Sequence, residues 1–208
     1  MKEIDFDINE SPFKNFLSSR YSISSKIDIK NLWSYSKEND LSFFITSLGC
    51  LINSLNSVSV LRRRIIDGKV IEFDKLDAIT PIIDTNDNIL EIRLSPPSSF
   101  KSFKKWYDYA LNEKEKVISG KKEVFSIPMS KRDEKPIANF SCIPWVDFDS
   151  ITSCIENPHQ VQPLVSWGKV NENKMMSVAI TVNHILVYGK DLGKFYIEVQ
   201  KNFDNFKI

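Results

Sequence analysis

Leu41, Phe44, Ile45, Leu48, Ile52 and Leu55 recur at the spacing that lays one apolar stripe along a helix. The stripe predicts a helix beginning near Asn39 or Asp40 and packed on a sheet. Ser59 to Ile66, the turn signal Asp67-Gly68 and Lys69 to Phe73 read as a hairpin. Two further strands are predicted over Ala78 to Asp84 and Ile89 to Leu94. Pro96-Pro97-Ser98-Ser99 then leads into a helix carrying Phe100, Phe103, Trp106, Tyr107 and Leu111, with a solvated Lys/Glu-rich opposite face. The second half holds strand candidates at Ile137 to Pro144, Leu164 to Val170 and Met175 to Val182. The last two flank Asn171-Glu172-Asn173 and form an antiparallel pair. From Gly189 the period becomes helical again through Leu192, Phe195, Tyr196, Val199, Phe203 and Phe206. Strands and helices mix without strict alternation of one strand with one helix.

Composition narrows the class. A chain of 208 residues buries roughly two-thirds of its unfolded surface as one unit. No linker or repeat divides it, so residues 1–208 read as a single domain. The 28 Lys and Arg against 27 Asp and Glu leave a net charge of +1, no field for attracting nucleic acid or an anionic membrane. The N-terminus lacks a basic region followed by an apolar run, and Leu41 to Ile52 is too short and too polar to span a bilayer. A cytoplasmic location is therefore expected. Cys50, Cys142 and Cys154 match neither a disulfide framework nor a zinc pattern and are expected to be buried free thiols, with no metal site.

Histidine chemistry has two possible seats. His159 lies in the polar, turn-like Glu156-Asn157-Pro158-His159-Gln160 and reads as a surface residue. His184 follows a predicted strand and precedes a predicted helix, where a strand end delivers a side chain into a cleft. A neutral imidazole there can take a proton near neutral pH, although from position alone a lone histidine at a strand end is more often a hydrogen-bonded structural residue.

The segments Gln162-Pro163-Leu164-Val165-Ser166-Trp167-Gly168-Lys169 and Ser177 to Gly189 resemble the C-terminal signature region of chloramphenicol acetyltransferases. Ser141-Cys142-Ile143-Pro144-Trp145 resembles the same family's Ser-x-x-Pro-Trp segment, and Ser24 to Ile29 matches near the start. The segments keep the family's order and nearly its spacing, so the resemblance spans essentially the whole chain. It implies an α/β two-layer sandwich, with a mixed β-sheet covered by helices, and a homotrimer whose sites lie between subunits. It also implies transfer of acetyl from acetyl-CoA to a small-molecule hydroxyl, without metal or covalent acyl-enzyme. By the same resemblance His184 is the general base and Ser141 the hydroxyl that stabilises the tetrahedral oxyanion. Ser166, Lys169 and Trp145 fall at positions near an active-site water, the coenzyme A phosphate and the cofactor tunnel, and Tyr21 keeps an aromatic wall for the acceptor.

Two departures stand out. The family signature is His-x-x-x-Asp-Gly, whose carboxylate pairs with an N-terminal arginine; here Tyr188 replaces the aspartate, and Asp7 to Phe13 contains no arginine. Asp191 is the nearest substitute carboxylate, and Asn183 replaces the usual histidine before His184. The segment Lys14 to Tyr21 is shorter than its family counterpart, which leaves the acceptor open, chloramphenicol included. Loss of the ion pair also leaves room for a non-catalytic member that binds a ligand or only assembles. A serine hydrolase is disfavoured because no Gly-x-Ser-x-Gly elbow is present.

Overall fold

The computed structural model describes residues 1–128, 131–154 and 156–208. The chain runs β1 (Lys2–Ile4), β2 (Arg20–Asp28), α1 (Lys30–Glu38), α2 (Phe43–Ser57), β3 (Arg63–Ile66), β4 (Lys69–Glu72), β5 (Asp77–Ile83), β6 (Ile89–Leu94), α3 (Phe103–Ile118), β7 (Ile137–Cys142), β8 (Leu164–Val170), β9 (Met175–Asn183) and α4 (Gly189–Asp204).

Six strands build the main sheet in the order β2-β9-β8-β7-β5-β6, and β1-β4-β3 form a small second sheet. Strand β7 runs parallel to β5 and β8, and the other neighbours are antiparallel. The result is the expected two-layer α/β sandwich with a mixed sheet covered by helices. Period-two alternation gives the main sheet two unlike faces. Ala138, Phe140, Val165, Trp167, Val178, Ile180 and Val182 are buried on the helix side, where Phe44 of α2 stacks on Trp167. The opposite face carries a row of small residues in register, Ser141, Ser166, Ala179 and Ser24.

Helix α2 starts at Phe43, later than the apolar stripe suggests, because Ser42 caps it by accepting from the Ile45 N–H at 3.4 Å. The stretch 59–62 is a 3₁₀ turn, so the hairpin proper begins at Arg63. Strand β7 ends at Cys142, two residues before Pro144. Strand β2 and helix α1 escaped the pattern reading: serines occupy both faces of β2, and α1 buries only Leu32 and Ser36. The three thiols differ from the expected uniform burial. Cys50 is buried, but Cys142 is half-buried and Cys154 exposed, because the first sits inside α2, the second at a strand end and the third in irregular chain.

The pairing of β5 with β7 covers only Asp77–Ile79 against Ile137–Asn139. The Asp77 N–H donates to Pro136 O, so the residues at two-residue steps beyond it also aim their nitrogens at β7. Pro81 falls on that side and has no N–H to give, and the ladder stops there. The two strands splay, opening a slot between Pro81–Ile83 and Ser141–Pro144.

Candidate active site

Two regions carry the residues singled out by sequence, and they lie at opposite ends of the sheet. His184 sits in the turn that follows β9, half-buried, its backbone N–H donating to Ser19 O at 2.7 Å. Its imidazole lies between two aromatic rings. Phe13 stacks on it at 3.7 Å with a 12° interplanar angle, and Tyr21 at 4.2 Å with 25°. Tyr188 closes a third side, edge-on at 5.5 Å, and also meets Phe13 at 6.2 Å. The ring plane is thus fixed by packing. Nδ1 is buried and has no hydrogen-bond partner among the described residues, whereas Nε2 is not enclosed in this way.

Tyr21 donates to Val187 O at 3.3 Å, and burial, with a further push from the charge of Asp191, drives its phenol up to about 12. It therefore stays protonated and neutral beside the imidazole. Asp191 does not replace the missing motif carboxylate: it accepts from the Tyr188 N–H at 3.2 Å at the start of α4 and lies 3.8 Å from Lys194. Arg20, the first residue of β2, does not stand in for the missing arginine either. Its guanidinium donates to the carbonyls of Gln160 at 2.7 Å and Gln162 at 3.1 Å, and desolvation lowers its pKa. Asn183 donates to His159 O at 2.9 Å, and exposed His159 meets Ser19 Oγ at 2.9 Å through Nδ1. The loop around His159 thus braces the chain that holds His184.

The second region is the slot between β5 and β7, a cavity of about 740 Å³. Ser141, Trp145 and Lys169 line it, together with Phe44, Ile82 and Trp167. Because its walls include residues of both sheet faces, it crosses the sheet. Trp145 is 68% exposed, so it is no core aromatic. Burial pushes the Cys142 thiol, also in the wall, up to about 12, which keeps it protonated at neutral pH. Ser166 is buried beside Ser141 in register but does not reach the cavity wall. Among the described residues no three His, Cys, Asp or Glu side chains gather into a metal-ligating group, and no helix is long and apolar enough to cross a membrane.

One chain therefore unites Ser141, Trp145 and Lys169, and separately Tyr21 with His184. It does not bring the two groups together. Ser141 shares a row with Ala179, and His184 lies five residues further along, two strands across, so about 16 Å along the strands and about 10 Å across them. Phe13 is the site residue that sequence reading missed. Nothing local in Asp7 to Phe13 announces that a coil aromatic will lie on a histidine 171 positions later.

The family model for chloramphenicol acetyltransferase matches residues 7–200. Chloramphenicol acetyltransferase 3 of Escherichia coli is 21% identical over 193 residues, covering 91% of this chain and 88% of its own. Among solved structures, a chloramphenicol acetyltransferase superposes with a TM-score of 0.76 at 24% identity, covering 96% of this chain and 99% of that one. The dihydrolipoamide acetyltransferase of Azotobacter vinelandii does so with 0.68 at 13% identity, covering 96% and 86%.

Proposed function

This chain belongs to the chloramphenicol acetyltransferase family, and from that premise we propose that it moves an acetyl group from acetyl-CoA to the hydroxyl of a small molecule, with His184 as general base. The observation that carries the reading is the clamped imidazole of His184 at the end of β9, held between Phe13 and Tyr21 with Nδ1 enclosed. Nε2 is then the nitrogen that meets the acceptor. It takes the hydroxyl proton as the oxygen attacks the thioester carbon. The carbonyl oxygen becomes an oxyanion, to which the Ser141 hydroxyl donates. Collapse breaks the carbon–sulfur bond, the imidazolium returns the proton to sulfur, and the ester and free coenzyme A leave.

The separation of Ser141 from His184 supports a site shared between copies, His184 coming from one and the slot with Ser141, Trp145 and Lys169 from the next. Such a head-to-tail contact is heterologous and closes into a ring, in keeping with the homotrimer that the family resemblance implies. Exposed apolar groups mark both ends: Phe16 and Leu17 near His184, and Trp145, Val146, Ile83 and Ile89 around the slot. Tyr21 serves as a wall of the acceptor pocket, and Ser166 supports the row in which Ser141 sits.

A second reading, a ligand-binding member without turnover, is favoured by one observation: among the described residues Nδ1 has no acceptor to hold the tautomer that leaves Nε2 free. Release of coenzyme A thiol from acetyl-CoA, followed across hydroxylated acceptors, decides between the two. The expected result is turnover that falls by roughly 10²–10⁴-fold in His184→Ala. Tight acetyl-CoA binding with no His184-dependent turnover for any acceptor would instead establish the binding protein.

A further inference from the structure

The slot has a charge character that the whole chain lacks. Lys114 of α3 and Lys169 line it, and among the described residues no carboxylate does. Two more lysines flank its wall: Nζ of Lys37 lies 5.1 Å from the ring centroid of Trp33, and Nζ of Lys174 lies 4.9 Å from it. Among the described residues none of the four lysines has a carboxylate oxygen within 4.0 Å, although the chain as a whole carries nearly equal numbers of either sign. Ser42, Phe43 and Phe44 also line the slot, so the N-terminal end of the 15-residue α2, with the positive end of its dipole, faces the same space. The walls between these charges are apolar: Phe44, Pro81, Ile82, Ile83, Trp145 and Trp167.

A cationic rim on an apolar slot fits a ligand with a slender uncharged arm and a polyanionic head. We infer that Lys37, Lys114 and Lys174, on three different elements, join Lys169 in reading the phosphates of the acyl donor, with Trp33 holding two of the ammonium groups in place through its π face. The assignment rests on the acyl-transfer reading for the identity of the donor, but not for the charge pattern. Lysines act here as point charges, so each contributes a modest, salt-sensitive share.

The test compares coenzyme A with pantetheine, which has the arm and no phosphate, by titration calorimetry at low and high salt. Lys37→Gln, Lys114→Gln and Lys174→Gln should each weaken coenzyme A binding by roughly two- to fivefold, flatten its salt dependence and leave pantetheine unchanged. Trp33→Phe should retain most of the affinity, because the cation–π contact survives. Coenzyme A affinity unchanged in all three lysine variants, or an equal loss for pantetheine, would overturn the inference. Lysine-dependent binding without turnover would sink the acyl-transfer reading alone. His184-dependent turnover with an unaltered KM for acetyl-CoA in the lysine variants would sink the lysine assignment alone.

Discussion

Tyr188 shows how a charged device gives way to a packed one. A carboxylate at that position would need a guanidinium, and Arg20 is already spent on the Gln160 and Gln162 carbonyls. An aromatic ring needs no counter-charge and instead packs edge-on against His184 and Phe13. Exchanging an ion pair for well-packed uncharged groups is often neutral or stabilising, so the departure from the family motif is compatible with an ordered site. It follows that Tyr188→Asp, although it restores the motif, lowers both thermal stability, by roughly 1–3 kcal/mol, and turnover, which calorimetry and thiol release would register. Phe13→Ala should leave the protein folded but cut kcat more than it changes KM for acetyl-CoA, because the ring orients the imidazole and is not among the residues that line the slot between β5 and β7. Ser141→Ala should lower kcat by roughly 10²-fold with little change in KM, as expected of a donor that acts on the oxyanion.

Pro81 in β5 and Gly49 in α2 are small sequence features with large local effects. Pro81 ends the β5–β7 ladder and so makes the slot. Gly49 lets α3 approach α2: a Cβ there would stand 2.5 Å from Phe103 Cζ, inside the van der Waals limit, and would also collide with Trp106. Gly49→Ala is expected to destabilise by roughly 1–3 kcal/mol through overpacking, measured as a lower Tm. The tail of α3 is pinned by Glu113, which hydrogen-bonds Lys116 and Lys122. Burial alone would raise this carboxyl, but the two lysine hydrogen bonds outweigh it and hold the pKa below its ordinary 4.5. A carboxyl depressed in the folded state adds stability above its unfolded pKa and loses it as pH falls through the folded value. Between pH 6 and pH 3 the wild type should therefore lose more Tm than Glu113→Gln. Most helices and strands were legible from period alone. The strand β2 was not, since its serines occupy both faces and hide the alternation.

Assembly completes the reading at the level of the whole molecule. If His184 of one copy serves the slot of another, His184→Ala and Ser141→Ala chains are each strongly impaired alone, yet co-expression should restore activity, about a quarter of the wild-type value for random pairing. No recovery in mixed oligomers would place both residues in one chain's site. The exposed Leu17, Phe16, Trp145 and Val146 are then the surfaces that become buried, and dilution should lower specific activity as copies part.

Residue order was enough to identify the family, the layering of helix on sheet and the candidates His184, Ser141, Trp145 and Lys169, because these depend on local period and on motifs a few residues long. It could not disclose that Phe13 and Tyr21 enclose His184, that Pro81 opens the slot beside Ser141, or that Lys37, Lys114, Lys169 and Lys174 gather around it. Those facts join residues from separate strands, helices and loops, and only strand register and helix packing bring such distant positions into contact.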